Sequence, residues 1–316
     1  MMLANPVFQR VIGGIFVLLA VASFAGFVLQ RRVGSPGGVE TVRNLNARVR
    51  AWWVMVVLLG GAMALGPAAT VVLFALISFM ALREFVTLTP TRRGDHRALF
   101  LSFFVVVPLQ FVLIGVNWYG LFAVLIPVYV FVILPAISVL AGDTTDFLAR
   151  NAKVQWGLWL CVYALSCAPA LLLLNTSADR DRPPALLLLY LLIVVQLSDV
   201  FQYVCGKLFG RTKLAPAVSP SKTVEGLVGG GVIAVGVGML LHAMTPFAPW
   251  QAAAMSLLIV VAGFFGGLVL SAIKRDLGVK DWGRTIEGHG GILDRVDSVC
   301  FAAPLFFHVT RFWFAV

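Results

Sequence analysis

Acidic charge is scarce in this chain: only 14 of its 316 residues are Asp or Glu, against 24 Lys and Arg. Charged residues of both signs make up 12% of the whole. That is about half the share usual for soluble globular domains, and it excludes an ordinary water-facing surface. Cysteine is thin as well. Cys161, Cys167, Cys205 and Cys300 lie in apolar runs without Cys-x-x-Cys spacing, which excludes a disulfide framework and a zinc site and leaves them as small packing residues. No internal repeat and no soluble domain boundary interrupts the pattern, so residues 1–316 read as a single membrane domain.

What fills the chain is apolar: 60% of residues are hydrophobic and the mean hydropathy is +0.96. Runs near the ~20 residues that cross a bilayer recur throughout. They fall at 11–30, 51–66, 67–82, 98–116, 120–141, 154–174, 184–206, 226–245, 248–272 and 299–316. Backbone polar groups in hydrocarbon must be satisfied within the segment, so an all-α polytopic integral membrane protein is expected. It has about ten transmembrane helices, or nine if the short second and third runs form one broken pair. Arg10 precedes the first run and Arg31-Arg32 follow it, which favours a retained span over a cleaved signal. The polar stretch from Gln30 to Arg50 reads as a loop. Pro108, Pro127 and Pro135 are kink sites that neighbouring helices can accommodate.

The basic residues are distributed unevenly. If ten spans alternate, the connections at 31–50, 83–97, 150–153, 207–222 and 274–295 share one face and hold 20 of the 24 Lys and Arg; Arg10, Arg180, Arg182 and Arg311 lie opposite. This is the positive-inside pattern, and it places that face in the cytoplasm, where it attracts anionic membrane lipids; nucleic acid is not the expected partner.

Polar chemistry gathers in the second half. Residues 1–195 read mainly as structural spans, in which Arg83 and Glu84 anchor a helix end at the interface. Between Ser271 and Asp297 stand ten charged residues, about three times the chain's average density. Asp294 and Asp297 are three apart, so on a helix they share a face. Two carboxylates that close repel unless a cation lies between them, which a Mg²⁺ site supplies; spacing alone would equally pair them with Arg295 and Lys280 on a solvated face. Asp281 suits a third oxygen ligand or the orientation of a basic neighbour. In His289-Gly290-Gly291 the two glycines allow backbone N–H groups to approach an anion. Ser219-Pro220-Ser221-Lys222-Thr223 offers hydroxyls and a cation where a helix N-terminus can bind an anion, without the spacing of a Walker loop. Asp199, with Gln196, Ser198 and Gln202, interrupts the seventh span; an ionisable group at that depth is functional by default, with pairing to Lys207 or Lys222 as the alternative.

Two blocks carry a family resemblance. The first is Ser271, Lys274, Arg275, Lys280, Asp281, Gly283, His289, Gly290, Gly291, Asp294, Arg295 and Asp297; the second is Ser219-Pro220-Ser221-Lys222-Thr223-Val224-Glu225-Gly226. Together they resemble the signature of the CDP-diacylglycerol synthases, or phosphatidate cytidylyltransferases, over residues 196–300; upstream, Ala81-Leu-Arg-Glu-Phe85 also resembles a short stretch that recurs in that family at a similar place. The resemblance implies condensation of CTP with phosphatidic acid to CDP-diacylglycerol and pyrophosphate by a homodimer in a bacterial inner membrane. It implies Mg²⁺, with room for a second cation, held by Asp294, Asp297, Asp281 and Asp199. Catalytic roles fall to Lys274, Arg275, Lys280, Asp281, His289 and Arg295, and substrate binding to Ser219, Lys222, Thr223, Arg284, Gly290 and Gly291. Two positions depart from the pattern: Gly267 stands where many bacterial members have Asp, and Glu287 where many have Pro. The loss of an acid keeps open a catalytically silent lipid-binding paralogue, and a CTP-dependent polyprenol or phytol kinase is the other alternative. A transporter is disfavoured because the acids concentrate at one end instead of spreading along the midplane.

Overall fold

The computed structural model describes residues 4–32, 36–175, 182–286 and 290–315. Ten long helices follow one another: α1 (Pro6–Arg32), α2 (Pro36–Leu65), α3 (Pro67–Leu88), α4 (Arg93–Gly115), α5 (Tyr119–Val139), α6 (Phe147–Leu173), α7 (Ala185–Phe209), α8 (Val224–Met244), α9 (Pro249–Asp276) and α10 (Leu293–Phe314). Among the described residues the first nine are long and apolar enough to cross a membrane. The tenth, α10, has 22 residues and carries Asp294, Arg295 and Asp297 near its start, while its middle is buried against other helices.

The second and third runs are two separate helices. Gly66, at φ +117°, turns the chain in a conformation that side chains disfavour, and Pro67 starts α3 where its missing N–H costs nothing. The stretch from Gln30 to Arg50 is not the loop that its polarity suggests. α1 continues to Arg32 and α2 begins at Pro36, because nothing beyond Gly38 breaks a helix. At 1.5 Å per residue, the 30 residues of α2 reach about 45 Å, well beyond the ~30 Å hydrocarbon layer. Asn46 bonds to Gln30 at 3.0 Å, and Trp53 donates to Ser23 at 3.0 Å and stacks on Phe16, joining α1 and α2 into a hairpin.

Other helices also overrun their apolar cores. The basic connection expected at 150–153 is helical from Phe147 onward, and α7 and α9 run to Phe209 and Asp276. Lys and Arg are good helix formers whose charged ends reach water, so the helix stops at a breaker and not where hydropathy falls. The only sheet among the described residues is an antiparallel pair, β1 (Lys213–Ala215) and β2 (Ser219–Thr223), in the connection after α7. Wide π-type turns occur at Ser102–Val106 in α4, Leu125–Val130 in α5 and Trp159–Ala164 in α6. Pro108 follows the first and Pro127 lies in the second, where the missing N–H disturbs the ordinary ladder.

The packing places α6 at the centre, with 83% of its span buried, and α1 at the rim, with 11%. α7, α8, α9 and α10 pack against one another, and near the starts of α7 and α9 Tyr190 donates to the Ala252 carbonyl at 2.9 Å and bonds Ser256 at 2.6 Å. At the polar end Arg150 joins two connections. It reaches Asp143 at 2.9 Å and Asp95 at 3.6 Å, and Arg92 meets Asp143 at 2.9 Å. The Asp143 carboxyl is held below its ordinary range, first by the Thr145 backbone N–H and then by Arg150.

Candidate active site

The β1–β2 hairpin delivers its last residues to the start of α8. Thr223 caps that helix by accepting from the Gly226 N–H at 3.1 Å, and Glu225 accepts from the Arg211 and Thr212 N–H groups at 3.0 Å each. This fixes Lys222, whose side chain turns inward. Its ammonium donates to the Phe264 carbonyl on α9 at 3.1 Å and lies 4.5 Å from the centre of the Phe264 ring. Burial lowers the Lys222 pKa, while the negative charges of Asp199 and Asp297 act to raise it.

Those two carboxylates come from different helices and meet at one serine. The Ser298 hydroxyl donates to Asp199 Oδ2 at 2.9 Å and lies 3.5 Å from Asp297 Oδ1, which also accepts the Ser298 N–H at 2.7 Å. Arg295 interacts electrostatically with both acids, and its buried Nε has no hydrogen-bond partner among the described residues. Gly267 faces the same space. A Cβ there would stand 3.0 Å from Lys222 Nζ, 3.6 Å from Ser298 Oγ and 3.7 Å from Asp297 Oδ2. The room left by the missing side chain at 267 is therefore approached by an ammonium group.

Asp294 points elsewhere. Its Oδ1 pairs with buried Lys274 at 2.7 Å, and its Oδ2 accepts the N–H groups of Trp282 at 2.8 Å and Gly291 at 2.9 Å. Gly290, at φ +81°, lets the chain pass this carboxylate, which a Cβ would approach to 2.7 Å. Close by, Glu84 of α3 accepts from Thr285 Oγ1 at 2.6 Å, from Ile292 N at 3.0 Å and from Leu293 N at 2.9 Å. Protein carboxylates thus take up the N–H groups of residues 291–293.

Residues 46–313 match the sequence profile of the Cytidylyltransferase family. The chain belongs to that family. The uncharacterized protein YnbB of Escherichia coli K12 is 41% identical over 308 residues, covering 96% of this chain and 98% of the relative. The phosphatidate cytidylyltransferases of Staphylococcus saprophyticus and Staphylococcus aureus strain COL are 43% and 42% identical over 120 residues, which is 37% of this chain and 46% of each relative. The family match begins far upstream of the two signature blocks, so α3 to α6 belong to the conserved architecture and not only the region after residue 196. The chain is a membrane-integral, CTP-using transferase.

Within this cytidylyltransferase the signature residues form neighbouring groups linked through Lys274, which pairs with Asp294 and also interacts electrostatically with Asp297 and Lys222. Asp199, Lys222, Arg295 and Asp297 gather around Ser298. Asp294 and Lys274 form a buried ion pair under the connection between α9 and α10. Lys280, Asp281 and Arg284 are exposed in that connection. Arg275 is exposed and bonds the carbonyls of Val218 and Val279 at 3.3 and 3.1 Å. Ser219 lies 3.5 Å from Ser221 in β2, and Thr223 is spent as a helix cap. His289 and Glu287 lie outside the described residues. The four carboxylates expected around a metal are not drawn into one set, and no group of three or more metal-ligating side chains occurs among the described residues. A step of three residues along α10 suffices for this: Asp294 turns toward the connection and Asp297 toward α7. Sequence reasoning does not mark Ser298 as a site residue and reads Glu84 as an interfacial anchor; the signal for Glu84 is the resemblance of Ala81-Leu-Arg-Glu-Phe85 to a stretch recurring in the family.

Proposed function

We propose that the chain condenses CTP with phosphatidic acid, forming CDP-diacylglycerol and pyrophosphate. The observation that carries this reading is the meeting of Asp199 and Asp297 with Lys222 and Arg295, midway along α7 and in the opening turns of α10. Mg²⁺ characteristically takes one or two carboxylates and completes its shell with water and phosphate oxygens, so Asp199 and Asp297 fit as the protein's share. A bound Mg²⁺ would supply positive charge to the reacting phosphates. Asp294, saturated by Lys274 and two backbone N–H groups, would hold the connection in shape; Asp281 remains available as a further oxygen.

The exposed cations Lys280, Arg284 and Arg275 would draw the triphosphate to the membrane surface, and Ser219 would add a hydroxyl contact. Lys222 and Arg295 would offset charge as two anions are brought together. A phosphatidate oxygen then attacks the α-phosphorus in line; the new P–O bond forms as the bond to the α,β-bridging oxygen breaks, and that oxygen leaves with pyrophosphate. The nucleophile is already ionised at neutral pH, so no general base is required. Membrane lipids surround the bundle, and the acyl chains reach the site from the bilayer. The family resemblance supports a homodimer, the bacterial relatives support a bacterial membrane, and the basic bias supports a cytoplasmic polar end.

The test is an assay in detergent micelles with phosphatidic acid, Mg²⁺ and CTP labelled at the α-phosphate. Labelled lipid together with released pyrophosphate is the expected result. Label remaining in CDP, with γ-labelled CTP phosphorylating a polyprenol or phytol, would reassign the chain as a lipid kinase. No transfer to any of these acceptors by folded protein would leave a silent lipid-binding paralogue.

A further inference from the structure

Glu84 is a buried carboxylate outside the signature blocks that accepts three hydrogen bonds, and nothing in the proposed reaction uses it. It lies on α3 and is 8% exposed, yet it has no Lys or Arg within ion-pair distance among the described residues. Its charge is met by donors from some 200 positions along the chain: the Thr285 hydroxyl and the N–H groups of Ile292 and Leu293. The last two belong to the opening of α10, where helical N–H groups lack partners and the helix dipole favours an anion.

The sequence around the carboxylate is shaped to admit it. A Cβ on Gly283 would stand 2.9 Å from Glu84 Oε1, and the three nearest atoms all belong to Glu84. A Cβ on Gly291 would meet the same carboxylate closer still, with Cδ at 2.8 Å. Phe85, the next residue, stacks on Trp282 with ring centres 5.2 Å apart and planes 25° apart. Two successive residues of α3 therefore grip the connection on either side of Gly283. That connection carries Lys280, Asp281 and Arg284 and leads into the turn of α10 that bears Arg295 and Asp297.

We infer that Glu84 is a positioning residue of the transferase: its carboxylate, cradled between Gly283 and Gly291, fixes the connection between α9 and α10 and the start of α10 in the geometry the reacting phosphates require. The inference rests on the proposed reaction for its catalytic readout and on hydrogen exchange for its structural one. Misplacement by about 1 Å can cost ~10²-fold in rate.

The experiment compares full-length wild type with Glu84→Gln, Glu84→Asp and Glu84→Ala. Hydrogen exchange is followed in peptides covering residues 290–296, alongside kcat, KM for CTP and CTP affinity. Glu84→Gln keeps the shape but turns an amide donor toward other donors. It is expected to speed exchange in those peptides and lower kcat by about 10²-fold, with the melting of the bundle largely kept and with partial recovery in Glu84→Asp. Gly283→Ala should be harmful in the wild type and add little to Glu84→Ala, since the atoms it would strike are gone. Unchanged exchange in Glu84→Gln, or faster exchange with kcat intact, would overturn the inference, as would equal harm from Gly283→Ala in both backgrounds. If wild type makes no labelled lipid, the proposed reaction has failed; the clamp then stands or falls on exchange and CTP affinity, and unchanged values of both would overturn it.

Discussion

Two residues of α10, Arg295 and Val296, separate two carboxylates that the sequence presents as a pair. Asp294 neutralises a buried lysine and collects two backbone N–H groups, so its loss is a folding problem. Removing one partner of a buried ion pair typically costs about 3–5 kcal/mol, because the other charge is stranded. Asp297 faces Asp199 across Ser298, so its loss would relieve the repulsion between the two and, in the proposed reaction, take away a metal ligand instead. Asp294→Asn should lower the unfolding midpoint in micelles clearly, and Asp297→Asn should keep it while reducing transfer by at least about 10²-fold, in the range of losing a charge-stabilising group. Melting curves beside the labelled-lipid assay check both; equal stability loss in the two variants would refute the division. The signature made Asp297, Lys222 and Arg295 legible as residues with chemistry. It could not make Asp294 legible as a scaffold, because ligand and buried counter-ion have the same side chain at the same spacing. Glu84 was hidden for a related reason: a carboxylate at a helix end reads as an interfacial anchor until its partners, some 200 residues away, are known.

At the scale of elements, hydropathy located all ten helices but misjudged their ends. The apolar run marks only the portion in hydrocarbon, whereas the hydrogen-bonded ladder continues through Arg, Lys and Asn until a Gly or Pro intervenes. That is why the stretch 36–50 became the polar half of α2, and why α2 and α3 are two helices with a sharp break. The break itself is testable. Gly66 adopts a backbone conformation nearly closed to other residues, and no atom lies within 4 Å of where its Cβ would stand. Gly66→Ala should therefore cost only the conformational penalty, about 1–3 kcal/mol. Gly61→Ala, within helix α2 and equally free of contacts, should be neutral or slightly stabilising. Thermal unfolding of the two variants in the same detergent gives the comparison, and similar midpoints would show that the turn is not strained. The β1–β2 hairpin was not visible in advance, since strands of three and five residues with Pro220 carry no alternating pattern.

For the whole molecule, the decisive property is that polarity is gathered at one end. Contacts tie the connections there to one another: Arg150 joins the turns after α3 and α5, Arg275 joins the hairpin to α9, and Glu84 joins α3 to α10. The opposite end has none of the signature residues among its connections at 116–118 and 245–248. The positive-inside bias of 20 of the 24 basic residues toward the first face predicts one orientation, with the polar end in the cytoplasm. In the proposed reaction a triphosphate would meet the exposed Lys280 and Arg284 from water, while the lipid would arrive laterally from the bilayer. Single cysteines at Gly142 and at Pro246, in a background with the four native cysteines replaced, report the two ends. In intact bacterial cells a membrane-impermeant maleimide should label position 246 and leave 142 unlabelled until the inner membrane is opened. Labelling of 142 in intact cells would invert the orientation and move the site to a compartment without nucleotide, which would also remove CTP as the substrate in that membrane.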